Sequence, residues 1–199
     1  ARGKDEIGDQ NGRDIGIQAG GILVKTGEKT LIDYKIGLFN GSGINTTDEN
    51  ESKDVVTRIL IHPIEGLEFG ASYYNGHGNW GTPAKNRKRN RIGFELGYQI
   101  DNFSMSGEFI NGQDASVKKQ GYYVQAGYYV LPKKLQFVGK IDSYDPNTDI
   151  DDNASNWYIA GINFLINSNI LLQANYTFKE EQGNKITNNL MSIQLQAKF

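Results

Sequence analysis

The stretch NILLQANYTF, residues 169–178, reads two ways at once. Every second position gives Ile170, Leu172, Ala174, Tyr176 and Phe178, and the positions between give Leu171, Gln173, Asn175 and Thr177. One side is apolar and the other mostly polar. Strict alternation argues for a β-strand, because successive side chains of a pleated chain point to opposite faces. The fold turns on whether the apolar side meets a protein core or lipid.

The same alternation recurs along the chain. It is found at 15–24 (IGIQAGGILV), 30–39 (TLIDYKIGLF), 54–62 (DVVTRILIH), 66–75 (GLEFGASYYN) and 90–100 (NRIGFELGYQI). It continues at 102–111 (NFSMSGEFIN), 121–131 (GYYVQAGYYVL), 134–143 (KLQFVGKIDS), 156–166 (NWYIAGINFLI) and 188–199 (NNLMSIQLQAKF). With the opening stretch, that predicts about eleven strands and hardly any helix. Each is close to the roughly 9–11 residues that a tilted strand needs to cross a bilayer.

Composition fits an all-β chain and narrows the functions open to it. Among 199 residues there are 24 Gly and 11 Tyr but only 4 Pro, and helix breakers spread through aromatic segments favour strands. The net charge of −2 gives no footing for nucleic acid. No apolar run approaches the roughly 20 residues of a membrane-spanning helix, whereas a transmembrane barrel keeps a polar average composition. With no cysteine there is no disulfide, thiol catalysis or thiolate metal site.

The expected connections alternate in length. Short links fall at 25–29, 63–65, 101, 132–133 and 167–168, and long polar ones at 40–53, 76–89, 112–120, 144–155 and 179–187. An up-and-down meander with tight turns on one rim and loops on the other produces this pattern, as outer-membrane barrels do. In every strand one parity is apolar, as in Ile92, Phe94, Leu96, Tyr98 and Ile100. The other carries Asp33, Lys35, Arg58, Glu68, Arg91, Glu95, Glu108, Lys140 and Asp142, together with amides such as Gln125, Gln136 and Gln173. A polar exposed sheet surface would require helices or a second sheet against the apolar side, and no helix is available. A wide barrel with lipid outside and water inside satisfies both faces and removes unpaired edges. The expected fold is therefore an all-β, antiparallel up-and-down transmembrane β-barrel, with Ile170 through Phe178 toward lipid and Gln173 and Asn175 toward a lumen. Aromatics fall near both ends of the lipid face: Phe103, Tyr128 and Phe199 at the short-turn rim, Phe109, Tyr122, Tyr158 and Phe178 at the loop rim.

An odd strand count with Phe199 at the periplasmic rim places the entry to the first strand outside, while single-chain bacterial barrels have even strand numbers. Residues 1–14 then read as half of an extracellular loop, and the chain as the C-terminal part of one barrel domain whose N-terminal strands lie outside this sequence.

The order RDIGIQAGG (13–21), DYKIGLFNGSG (33–43), LIHPIEGLEFGASYYNG (60–76) and the terminal SIQLQAKF (192–199) resembles the C-terminal part of the phosphate-selective porin O and P family, in its Bacteroidota-type form. The resemblance extends over most of the chain, with YKIGLFNG (34–41) and Phe199 its best local marks. It implies a sixteen-stranded, typically trimeric porin of a Gram-negative outer membrane, passing anions such as phosphate. It also implies that the barrel assembly machinery recognises the strand ending at Phe199. This sequence departs from a basic lumen: Lys35, Arg58, Arg91, Lys134, Lys140 and Lys179 face Asp33, Glu68, Glu95, Glu108 and Asp142. Mixed charges pair and screen one another, so Arg58 and Arg91 read as ion-paired wall residues and phosphate specificity is not carried over. Their alternative role is a transverse field that orients polar solutes.

Catalysis has no constellation behind it. His62 precedes Pro63 at a turn, His77 lies in YNGHGNWG (74–81), and no spacing ties either to Ser72 or Ser104. In YDPNTDIDDN (144–153), Asp145, Asn147, Asp149 and Asp151 alternate as oxygen ligands could, yet Ile150 stands where an EF-hand wants Gly and Asn156 where it wants Glu. A solvated acidic loop is the expectation, with loop-bound Ca²⁺ as the alternative. The basic KNRKRNR (85–91) at the loop rim would meet lipopolysaccharide phosphates or solvent. Two functions follow: a porin for small polar or ionic solutes, or a structural or assembly barrel of an envelope complex with a plugged lumen. Small residues on the lumen parity (Gly37, Gly93, Gly97, Gly127, Ser104, Ser106) favour the open channel.

Overall fold

A computed structural model describes residues 14–43, 47–48, 50–80, 85–183 and 186–198. These form eleven strands: β1 (Gly16–Thr26), β2 (Lys29–Phe39), β3 (Asp54–Ile64), β4 (Leu67–Trp80), β5 (Lys85–Ile100) and β6 (Phe103–Asp114), followed by β7 (Val117–Leu131), β8 (Leu135–Asp145), β9 (Ser155–Asn167), β10 (Ile170–Glu181) and β11 (Leu190–Ala197). They make one antiparallel sheet in sequence order, β1 to β11. Within the described residues β1 pairs only with β2 and β11 only with β10. The expectations for residues 1–13 and for Phe199 lie outside the described residues.

Among the described residues nothing packs on either face. Substantial contacts run only between consecutive strands, and among the described residues the only buried large hydrophobic side chain is Tyr144. The apolar parity is instead laid open from edge to edge: Phe94 is 51% exposed, Ile162 41%, Tyr176 51% and Ile193 66%. A chain this length would ordinarily remove such side chains from water, each contributing about 1.5–3 kcal/mol on full burial. The sheet has no protein core to offer them. Rings cluster at both ends of the apolar face, as the sequence predicts: Phe103 lies opposite Tyr128 and 6.3 Å from the Tyr98 ring, while Tyr158 and Phe178 are 6.2 Å apart.

Two expected loops are hairpin extensions. The 112–120 link is a two-residue turn, Ala115–Ser116, between β6 and β7. The 76–89 link is largely strand, with Gly76 opposite Arg89 and His77 opposite Lys88, and residues 81–84 outside the described set. Short and long connections therefore do not alternate strictly. The reason is physical: beyond the apolar belt a hairpin is polar on both faces, so its sequence loses the period of two. The connections at 40–53, 146–154 and 182–189 do remain long. Lys134, expected on the lumen parity, belongs to the turn between β7 and β8. Pro63 lies inside β3 where the register with β4 shifts, a position at which a missing N–H is tolerated.

Two turn glycines with left-handed backbone separate conformational from steric demand. Gly27 (φ 62°) would place a Cβ in open space, whereas at Gly66 (φ 78°) a Cβ would strike the backbone oxygen of Gln99. Gly27→Ala should cost about 1 kcal/mol and Gly66→Ala clearly more. Urea midpoints of the two variants check this, and equal midpoints would contradict it.

Candidate functional site on the polar face

The strand register brings all nine predicted lumen residues onto one face. Lys35 lies opposite Arg58, Glu95 opposite both Gly70 and Glu108, Glu68 opposite Gly97, and Arg91 opposite Gly112. Glu108 continues through Tyr123 to Asp142, and Gln125 lies opposite Lys140. Because side chains alternate strictly, one register error would have moved a whole strand to the other face.

Most of these charges are paired along the wall. The Arg58 guanidinium donates from Nε and Nη2 to the two Glu95 carboxylate oxygens, both at 2.6 Å, reaching from β3 across β4 to β5. Arg91 donates to Asp114 Oδ1 at 2.7 Å, and Lys119 approaches the other oxygen at 3.0 Å. Lys140 pairs with Asp142 at 2.8 Å and stands 4.8 Å from the Tyr123 ring centroid. Lys179 stands over Trp157. His62 Nε2 lies 2.8 Å from Asp33, with Glu68 3.9 Å from its Nδ1. Arg58 and Arg91 are thus ion-paired, as expected. Among the described residues Lys35 and Glu108 form no ion pair.

Glycines give these side chains room to lie flat. A Cβ at Gly70 would overlap the Glu95 carboxylate, one at Gly97 would lie 2.7 Å from Glu68 Oε1, and one at Gly112 2.7 Å from Arg91 Cδ. Gly70, Gly97 and Gly112 each therefore leave a slot for a charged side chain of an adjoining strand.

Other features were less legible. Asp54, 1% exposed, accepts hydrogen bonds from the Tyr74 hydroxyl and the His77 backbone N–H, which offset the cost of burying a carboxylate. Asp114 was hidden in an expected loop. KNRKRNR lies in β5, so alternation puts Arg87, Arg89 and Arg91 on the polar face and leaves Lys88 on the other. Large side chains also share the polar face: Tyr74, Tyr123, Tyr129, Tyr144 and Trp157. Toward the short-turn rim the charges give way to amides, where Asn163 donates to Gln136 (2.9 Å) and accepts from Gln173 (2.8 Å).

In the loops, Asp145 and Asn147 accept from the backbone N–H groups of Asn147 and Asp149, so these side chains stabilise their own turns. Among the described residues no three His, Asp or Glu side chains converge as metal ligands would. In the 40–53 connection, hydrogen bonds from Lys53 and from the Asn50 backbone hold the Asp48 carboxyl below its ordinary range.

A scan of protein-family models finds no match to this chain, and a search of curated proteins likewise finds none. The likeness to the porin O and P family rests on the quoted residues.

Both members of the Arg58–Glu95 pair are partly exposed, at 38% and 28%, so solvent screens them. A double-mutant cycle with Arg58→Ala and Glu95→Ala should give a coupling of about 1 kcal/mol or less that shrinks with added salt. Gly70→Ala, which evicts the Glu95 carboxylate, should remove that coupling while both charges remain; an unchanged coupling would contradict the slot.

Proposed function

We propose that this chain is part of an outer-membrane porin: a closed transmembrane β-barrel through which small polar or ionic solutes diffuse passively. The observation that carries it is a single-layer sheet with one uninterrupted exposed apolar face and one face of ion-paired and amide side chains. Two faces so different, with nothing among the described residues packed on either, match two solvents. Lipid on the apolar side requires closure, since an open edge would leave backbone N–H and C=O groups unsatisfied in hydrocarbon. On this reading further strands join the free edges of β1 and β11, making sixteen as the resemblance implies, in a trimer of a Gram-negative outer membrane. Lys88 and Lys118, exposed on the outward parity beyond the apolar belt, would meet the phosphates of lipopolysaccharide.

The wall supports weak selectivity with an asymmetric mouth. Arg87, Arg89, Arg91 and Lys119 gather at the loop end of the polar face, where the carboxylates of Asp114 and Asp54 also lie, an excess of cations that favours entry of anions such as phosphate. Below them Glu95 and Glu108 oppose one another and balance that field. A second reading, a structural or assembly barrel with a plugged lumen, is favoured by the inward Tyr74, Tyr123, Tyr129, Tyr144 and Trp157, which narrow the interior.

Conductance in planar bilayers decides between them. The channel predicts ohmic steps in groups of three, and replacing Arg87, Arg89 and Arg91 by Gln should move the reversal potential in a salt gradient toward cation preference. A folded, heat-modifiable barrel that passes no current would favour the plugged role.

A further inference from the structure

The charges of the polar face are not spread evenly from rim to rim. The loop end is rich in cations, the middle is paired, and the short-turn end is rich in amides and hydroxyls, with His62 between Asp33 and Glu68 at one side. On that last third lies a depression of about 500 Å³ between β3 and β7, lined on its polar side by His62, Glu68, Gln99, Ser104, Ser106 and Gln125. Its volume falls within the range of sites that hold small organic molecules. None of its lining residues is Lys or Arg.

We propose that this depression is a binding subsite for neutral polyhydroxylated solutes of the sugar class, an inference that rests on the channel reading above. The donor and acceptor inventory selects the ligand. Gln99 and Gln125 each offer an N–H₂ donor and a carbonyl acceptor, Ser104 and Ser106 offer hydroxyls that do both, and the Glu68 carboxylate accepts from two adjacent hydroxyls. A polyol presents the same mixture and gives up its water without the desolvation cost of an ion. A phosphate would face the Glu68 carboxylate with no Lys or Arg on the lining, and the one imidazole there, His62, lies against Asp33. An organic ammonium would use Glu68 but leave the amide N–H groups of Gln99 and Gln125 without acceptors.

Register extends the same chemistry along the wall. Ser104 lies opposite Gln99 and Gly127, and Ser106 opposite Gly97 and Gln125. The row beyond continues through Tyr129, Gln136, Asn163, Gln173 and Gln194 around to β11. Gln136, Asn163 and Gln173 are already chained donor to acceptor at 2.9 and 2.8 Å, which fixes their amide planes. A solute leaving the depression meets a neutral, hydrogen-bonding track instead of a field.

The test is titration of the full-length channel in planar bilayers with maltotriose, read as block of KCl current. Saturable block is expected, with Gln125→Ala and Glu68→Gln each raising the half-saturating concentration about fivefold, the effect of one lost hydrogen bond. Retained heat-modifiable migration shows that the variants fold. Conductance without saturable sugar block overturns the subsite alone. Stronger block by putrescine, weakened by Glu68→Gln, or by inorganic phosphate, weakened by Gln125→Ala, overturns the ligand class. A folded barrel with no KCl current overturns the channel reading and the subsite with it.

Discussion

Everything in this structure depends on the lateral backbone hydrogen bonding of one sheet. There is no second layer and no helix among the described residues, so consecutive strand pairing is the only extended interaction holding the chain. That pairing settles which side chains share a face, and the faces then make opposite demands on solvent. One exposes isoleucine, phenylalanine or tyrosine on ten of the eleven strands. The other carries the carboxylates, guanidinia and amides. In water the first face would associate with whatever it met. The proposed bilayer setting removes that conflict, because the apolar face gains a solvent and the strands satisfy their own backbone groups.

On the polar face the decisive partners of the charged residues are glycines. Glu95, Glu68 and Arg91 each lie over a glycine of the adjoining strand, so their charges run along the wall and find counter-charges there. An upright ring of the same residues would project into the interior and set its selectivity. In the proposed channel, laid flat and paired, they leave selectivity to the less regular parts of the wall. These include Lys35 and Glu108, the two of the nine predicted charges that form no ion pair among the described residues.

Much of the fold was legible because a period of two survives wherever one face is apolar. Ile170 to Phe178 and Ile92 to Ile100 each announce a strand and its facing, and the nine charged positions fall on one face as their parity requires. The signal failed where both faces are polar. Around Gly112–Gln120 and Gly76–Arg89 the hairpins outrun the apolar belt, so strands there read as loops and Asp114 was lost with them. Asp54 was missed for another reason: its burial depends on Tyr74 and the His77 backbone, which adjoin it only through the register of β3 with β4. Long-range pairs such as Arg58 with Glu95, two strands apart, leave no local trace in sequence.

In the proposed setting the two parities of a strand face two different solvents. The chain has no cysteine, so single cysteines can be placed along β10 and labelled with a fluorophore in the reconstituted protein. Labels at Leu172, Ala174 and Tyr176 should be quenched by lipid-borne quenchers and shielded from iodide, and labels at Gln173 and Asn175 should show the reverse. Iodide access to both parities, or no alternation along the strand, would contradict the account.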